Sequence, residues 1–157
     1  MLVSTDNFLS NEEIELFISK KLDIDLIVQK TKRYISEYYK QDIYTKWVEF
    51  LIMKPGSNNS LHTDINDDQE RLIAAIIYLN EEYSGGEFVF KDTVIKPKSG
   101  QLVFFKSTKF TPHLVRCVDE HDRLSISMFF DLNKIDAKYK YLIKAISNEY
   151  KRDKRPI

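Results

Sequence analysis

Apolar residues follow two different rhythms along this chain, and the change comes just after residue 40. Before it, Leu22, Leu26, Ile27, Tyr34, Ile35 and Tyr38 fall near one helical stripe interrupted by Lys30, which predicts a helix over 22–40. A shorter helix precedes it. Ser10-Asn11-Glu12-Glu13 has the form of a capping box, and Ile14, Leu16, Phe17 and Ile18 supply the apolar side of a helix ending near Lys21. Both helices read as packing for a sheet.

After Gln41 the spacing becomes that of strands, predicted over 47–53, 72–79, 88–90, 93–95, 101–105, 113–118 and 123–131. Residues 72–79 are almost continuously apolar, as in a strand buried on both faces, and 88–95 read as a hairpin. Turns are marked by Lys54-Pro55-Gly56 with the polar residues 57–60, by the acidic Asn66-Asp67-Asp68, and by 81–86 and 97–100. The strands over 113–118 and 123–131 are expected to pair with each other, Arg123 standing opposite residue 117 or 119. Along the second of them Arg123, Ser125 and Ser127 alternate with Leu124, Ile126, Met128 and Phe130, which places a polar stripe on the interior face. Residues 133–150 return to helical character, and 151–157 form a charged tail.

Many short strands separated by frequent turns indicate a sandwich or barrel. The expected class is α+β, mainly β, in one domain over 1–157: helical support over 1–45, a β core over 46–132, and a C-terminal helix and tail over 133–157. The balance of 24 Lys+Arg against 24 Asp+Glu argues against a protein built to grip nucleic acid or an anionic membrane. Cys117, the single cysteine, rules out an intramolecular disulfide and reads as a small buried residue on a strand. The first ten residues lack the basic and apolar regions of a signal peptide, and no apolar run approaches the ~20 residues of a membrane span. A soluble, cytoplasmic protein is expected.

The chemistry-bearing residues lie in the β region. In an extended segment residues i and i+2 share a face, so His62-Thr63-Asp64 presents an imidazole and a carboxylate side by side. His113 completes three ligands if the intervening chain folds back. Two histidines and one carboxylate on one face of a metal leave the opposite positions open, the set used by non-haem Fe(II) oxygenases. The chain holds 3 histidines, and two of them stand at these points; His121 reads as a surface residue. Ten positions after His113 comes Arg123, with Ser125 at alternate spacing, suited to hold the distal carboxylate of a diacid cosubstrate in a bidentate pair.

Taken in order, Lys54-Pro55-Gly56, His62-Thr63-Asp64, Arg71, Tyr78-Leu79-Asn80, Gly85-Gly86-Glu87, Phe90, Pro97, Gly100, Phe104-Phe105, His113 and Arg123 resemble the 2-oxoglutarate/Fe(II) dioxygenases, most closely their prolyl-4-hydroxylase-like branch. The resemblance covers 47–131. It implies a double-stranded β-helix (jelly-roll) barrel, Fe(II) on His62, Asp64 and His113, and a catalytic set of those three with Arg123. It also implies that Arg123 pairs with the C5 carboxylate of 2-oxoglutarate, that Ser125 is the serine of an Arg-x-Ser pattern, and that O2 is the oxidant, with ascorbate an optional reductant. Tyr78 is either a donor to the same carboxylate or plain core, and Arg71 orients a loop or pairs with Asp67 or Asp68.

Two departures from the branch stand out. Met53 occupies a place where prolyl hydroxylases often carry tyrosine, and Arg123 replaces the lysine of collagen-type enzymes. The retained Asp64 argues against halogenation, and Phe129, where nucleic-acid demethylases have a second arginine, against base repair. The resemblance implies hydroxylation of an unactivated C–H, on a peptidyl proline, with release of succinate and CO2. A free amino acid or other small molecule is the alternative substrate, and a non-catalytic metal/2-oxoglutarate sensor is the alternative role. Loops over 57–61, 65–70 and 106–112 would choose the substrate. The expected partners are a peptide, protein or small molecule, with no nucleic acid and no membrane, acting on a monomer or homodimer.

Overall fold

Ser10 starts the first helix as its sequence dictates. In the computed structural model, which describes residues 1–64, 72–135 and 137–150, strand β1 (Val3–Thr5) leads into helix α1 (Asn11–Ile18). The Ser10 hydroxyl accepts from the Glu13 amide and Glu13 Oε1 accepts from the Ser10 amide, both at 3.1 Å. Because this box satisfies two otherwise unpaired donors, Ser10→Ala is expected to cost about 1 kcal/mol, read as a lower urea midpoint at unchanged m-value. Helix α2 (Ile24–Tyr39) is capped by the Asp23 side chain and ends at Lys40 in the left-handed region, φ 51°. Lys30, the polar break in its stripe, donates to the Phe8 carbonyl at 2.7 Å and pairs with Glu13 at 3.2 Å.

The remaining elements are strands: β2 (Tyr44–Met53), β3 (Asn58–His62), β4 (Leu72–Tyr78), β5 (Ser84–Gly85), β6 (Phe88–Phe90), β7 (Thr93–Ile95), β8 (Leu102–Ser107), β9 (His113–Val115), β10 (Val118–Glu120), β11 (Arg123–Asp131), β12 (Lys140–Ile146) and β13 (Glu149–Tyr150). Six form one sheet in the order β1-β8-β4-β11-β2-β12, and five a second in the order β13-β3-β9-β6-β7. A two-stranded sheet joins β10 to β5.

Strand alternation sorts the side chains into two cores. Val48, Ile73, Ala75, Ile77, Phe104, Ile126, Met128 and Phe130 leave the six-stranded sheet on one side and pack with Ile14, Phe17, Ile27, Val28 and Ile35 of the helices. Leu51, Ala74, Tyr78, Val103, Phe105 and Phe129 leave it on the other and meet Phe88, Phe90 and Val115 of the second sheet. The layers are therefore helices, six-stranded sheet, five-stranded sheet. Strand β4, apolar throughout, serves both cores, which explains its unbroken run of Leu72-Ile73-Ala74-Ala75-Ile76-Ile77.

Four expectations fail. Residues 140–146 form β12, parallel to β2 at the edge of the large sheet, where a helix was predicted over 133–150. Tyr139, Leu142, Ile143 and Ile146 stand at i, i+3, i+4 and i+7, a helical stripe, while 142 and 146 also satisfy a period of two. The open edge of β2 decides between them: Leu142 and Ile146 pack toward the inter-sheet core and Tyr141 toward the helices. Secondly, β9 and β11 do not pair. β9 lies between β3 and β6 in one sheet, β11 between β4 and β2 in the other, and Arg123 stands opposite Met53. Thirdly, part of the loop predicted over 57–60 belongs to β3, and β1 was not foreseen. Fourthly, Cys117 is exposed between β9 and β10. The acidic turn Asn66-Asp67-Asp68, Arg71 with its pairing, and the tail over 151–157 lie outside the described residues.

Candidate active site

His62 and His113 face each other because β3 and β9 are in register at those two residues. Directly opposed residues on antiparallel strands hold their side chains within reach, and the two imidazole centroids are 4.4 Å apart. Asp64 lies just beyond the end of β3, so His62-Thr63-Asp64 is not a continuous strand. The chain's turn there carries the carboxylate between the rings: Oδ1 is 3.4 Å from His62 Nε2 and Oδ2 is 3.2 Å from His113 Nε2.

The tautomers follow from the other ring nitrogen. His62 Nδ1 lies 2.7 Å from the Ser60 carbonyl, and His113 Nδ1 lies 3.0 Å from the Thr111 carbonyl. A carbonyl only accepts, so each Nδ1 carries a proton, and each Nε2 is the ring nitrogen turned toward Asp64. A backbone carbonyl in that place is the usual orienting partner of a metal-binding histidine. One ligand atom from each of the three residues lies within 4.8 Å of the others. Ligands ~2.1 Å from a metal at right angles stand roughly 3 Å apart, so the three side chains are near enough to close on one ion. Phe105 and Phe88 flank His113, with centroids at 5.1 and 5.4 Å, and keep that side dry.

Arg123 opens β11 and is 1% exposed. Asn80 holds that strand start in place: its amide donates to the Asp122 carbonyl at 2.7 Å and its Oδ1 accepts from the Leu124 amide at 2.9 Å. The guanidinium Nε donates to the Gly86 carbonyl at 3.0 Å, and Nη1 lies 3.4 Å from Ser125 Oγ and 3.5 Å from Met53 Sδ. Nη2 is buried without a partner among the described residues. Gly85 makes this cradle: it sits at φ 70°, and a methyl group there would collide with the Cys117 carbonyl, the acceptor of the Gly86 amide. The thioether is a weak acceptor, so the tyrosine absent at position 53 is not replaced by a strong contact from the same place.

Tyr78 is fully buried, with its ring under the guanidinium at 5.1 Å and its hydroxyl unpartnered. Burial pushes its pKa up, the Arg123 charge opposing. It therefore donates rather than ionises. Tyr83 is a residue that sequence reasoning missed: it lies in the turn before Gly85, and its hydroxyl is also buried without a partner. An aromatic in an otherwise polar turn was its only signal.

One cavity brings the two clusters together. His62, Asp64, His113, Arg123, Ser125 and Ser127 line it, with Leu51, Phe88, Phe105 and Phe129 as apolar wall. The polar stripe predicted along β11 thus faces this interior, although Arg123 and His113 reach it from different sheets and not along one hairpin. His121 is exposed and apart from it.

The sequence profile of the 2OG-Fe(II) oxygenase superfamily matches residues 48–131. Prolyl 3-hydroxylase 2 of Rattus norvegicus is 35% identical over 69 residues, which are 40% of this chain and 10% of that protein, so the chain spans about a tenth of this curated relative. The viral collagen prolyl hydroxylase of Paramecium Bursaria Chlorella virus-1 superposes with a TM-score of 0.73 at 22% identity, covering 84% of this chain and 90% of the other. A Pseudomonas putida prolyl-4-hydroxylase does so with 0.70 at 20% identity, covering 86% and 87%. These two show a shared, mostly β fold. The profile covers more than half of the 157 residues, and on that match the chain belongs to the 2OG-Fe(II) oxygenase superfamily.

Proposed function

We propose that this chain hydroxylates an unactivated C–H bond of a proline residue within a peptide, using Fe(II) on His62, Asp64 and His113 and 2-oxoglutarate anchored by Arg123. The observation that carries the reading is the cavity itself. A His-Asp-His ligand face and a buried cation with a free Nη2 open into one space between the two sheets. We read those sheets as the halves of a double-stranded β-helix.

When bound, the iron and the cosubstrate would supply the oxidising chemistry, one atom of O2 entering the substrate C–H and the other the succinate that 2-oxoglutarate yields together with CO2. The protein's own part is geometric. His62, Asp64 and His113 would hold a metal from one side and would leave it open toward the cavity. Arg123, lining the same cavity as the ligand face, favours a diacid over a monoacid. Phe88, Phe105 and Phe129 exclude water from the reacting side. Ser125 accepts from Arg123 and aims its fork.

The peptidyl substrate is supported by the names of the relatives: a prolyl 3-hydroxylase, a collagen prolyl hydroxylase and a prolyl-4-hydroxylase. Incubating the protein with Fe(II), 2-oxoglutarate and proline-containing peptides should form succinate together with a mass gain of one oxygen atom on proline. Separation of the hydroxyproline isomers then assigns the 3 or 4 position. Turnover of free proline with all peptides inert would transfer the reading to a small-molecule hydroxylase. Succinate no higher than with Asp64→Ala for any substrate would leave a sensor module.

A further inference from the structure

Three buried polar atoms without hydrogen-bond partners among the described residues gather around one side chain: Arg123 Nη2, Tyr78 Oη and Tyr83 Oη. Native interiors rarely leave even one such group unpaired, and a cluster of them points to a missing partner. Tyr83 is 7% exposed, so water does not satisfy it freely. Its place beside Arg123 is fixed by Gly86, where an added methyl would stand 3.0 Å from Arg123 Cδ and 3.0 Å from Tyr83 Cε2. The arm of the arginine and the ring of the tyrosine therefore flank the same backbone point.

The chemistry of the missing partner can be read from the donors. A guanidinium has only N–H groups to give. Burial pushes the Tyr83 hydroxyl up to about 12, with the nearby Arg123 charge working against the rise, so at neutral pH the phenol keeps its proton. Both phenols lie close enough to the guanidinium to feel it, yet neither hydroxyl has a partner in full hydrogen-bonding geometry among the described residues. What serves two phenols and one guanidinium arm together is an anion with lone pairs in several directions. A carboxylate, with two oxygens and about four acceptor positions, fits that description.

We infer that Tyr83 donates a hydrogen bond to the distal carboxylate of the 2-oxoacid cosubstrate and is a determinant of its dicarboxylate specificity. This rests on the reading of Arg123 as the carboxylate anchor, and adds a donor from the turn before β5. It also accounts for Met53. The thioether gives no proton to an anion, and the donor that a tyrosine would have offered from β2 comes instead from the turn before β5.

The test is an anaerobic titration of the Fe(II)-loaded full chain, wild type and Tyr83→Phe, with 2-oxoglutarate and with 2-oxopentanoate, which has the same carbon chain but no second carboxylate. Binding is followed by visible absorption of the iron-bound acid. Tyr83→Phe should weaken 2-oxoglutarate about tenfold to a hundredfold and leave the weak affinity for 2-oxopentanoate unchanged. The metal-free variant should unfold at or above the wild-type temperature, since the hydroxyl removed has no partner. Equal losses for both acids, or no loss for 2-oxoglutarate, would overturn the role of Tyr83 while leaving the cosubstrate site standing. Iron-loaded wild type that binds 2-oxoglutarate no better than 2-oxopentanoate would overturn the anchor reading and this inference with it.

Discussion

Asp64→Ala is expected to lose more than a hundredfold in Fe(II) affinity and to bring succinate formation down to the metal-free background. Asp64 is the one anion of the three ligands and is the group that joins them: each of its oxygens lies against one imidazole, at 3.4 and 3.2 Å. Removing it leaves two neutral nitrogens, which hold a hard divalent cation poorly. Loss of a mere orienting partner in a metal site costs 10- to 100-fold, and loss of a ligand costs more. The fold should survive, because Asp64 lies past the end of β3 and outside both apolar cores. Equilibrium dialysis with Fe(II) or Mn(II) under anaerobic conditions measures the affinity, and His121→Ala, on the surface, serves as the control. Unaltered metal binding in Asp64→Ala, or a loss as large in His121→Ala, would remove the metal site from the proposal.

Much of this site could be read from residue order, because its signals are local. The Ser10–Glu13 box, the α2 stripe, the doubly buried β4 and the hairpin of β6 with β7 each depend on neighbours within a few residues. The polar stripe of Arg123, Ser125 and Ser127 was legible for the same reason, since alternation survives whichever strand lies alongside. What failed depends on distant pairing. No local pattern says that β9 pairs with β3 and β6 while β11 runs between β4 and β2. Nor does one say that β2 has an open edge able to extend 140–146 into a strand against a helical stripe. Tyr83 was passed over because a turn residue gives no periodicity, and its meaning appears only when Gly86 brings it beside Arg123.

The same comparison separates residues that shape the site from those that touch its ligands. Asn80 and the Gly85-Gly86 pair belong to motifs noted in the sequence, and the structure gives each a mechanical reason. Asn80 ties the turn after β4 to the start of β11 through two hydrogen bonds, so the motif Tyr78-Leu79-Asn80 fixes where Arg123 begins. Gly85 lets the backbone pass the Cys117 carbonyl, and Gly86 lends its own carbonyl to Arg123 Nε. Backbone therefore sets the arginine's direction and leaves Nη2 without a partner among the described residues.

Arg123→Met should separate the two halves of the site: 2-oxoglutarate affinity falls by more than a hundredfold while Fe(II) affinity is unchanged. The metal-free variant should lose no more than about 1 kcal/mol of stability. Removing one member of a compensated buried ion pair costs 3–5 kcal/mol, because a charge is stranded. Here no ion pair to Arg123 forms among the described residues, and its contacts are the Gly86 carbonyl, a serine hydroxyl and a thioether, all neutral. The folded chain thus bears the desolvation cost of this cation until a carboxylate arrives, and an apolar side chain of similar length relieves it. The opposing losses are the hydrogen bond to Gly86, worth ~1 kcal/mol net, and the weaker contacts to Ser125, Met53 and the Tyr78 ring, which the relieved desolvation offsets. A structural arginine behaves in the opposite way, losing stability first and ligand affinity only as a consequence. Urea unfolding of the metal-free protein, set beside the anaerobic cosubstrate titration, distinguishes the two. A drop of several kcal/mol with cosubstrate binding intact would place Arg123 in the scaffold and leave the anchoring of the diacid to other groups.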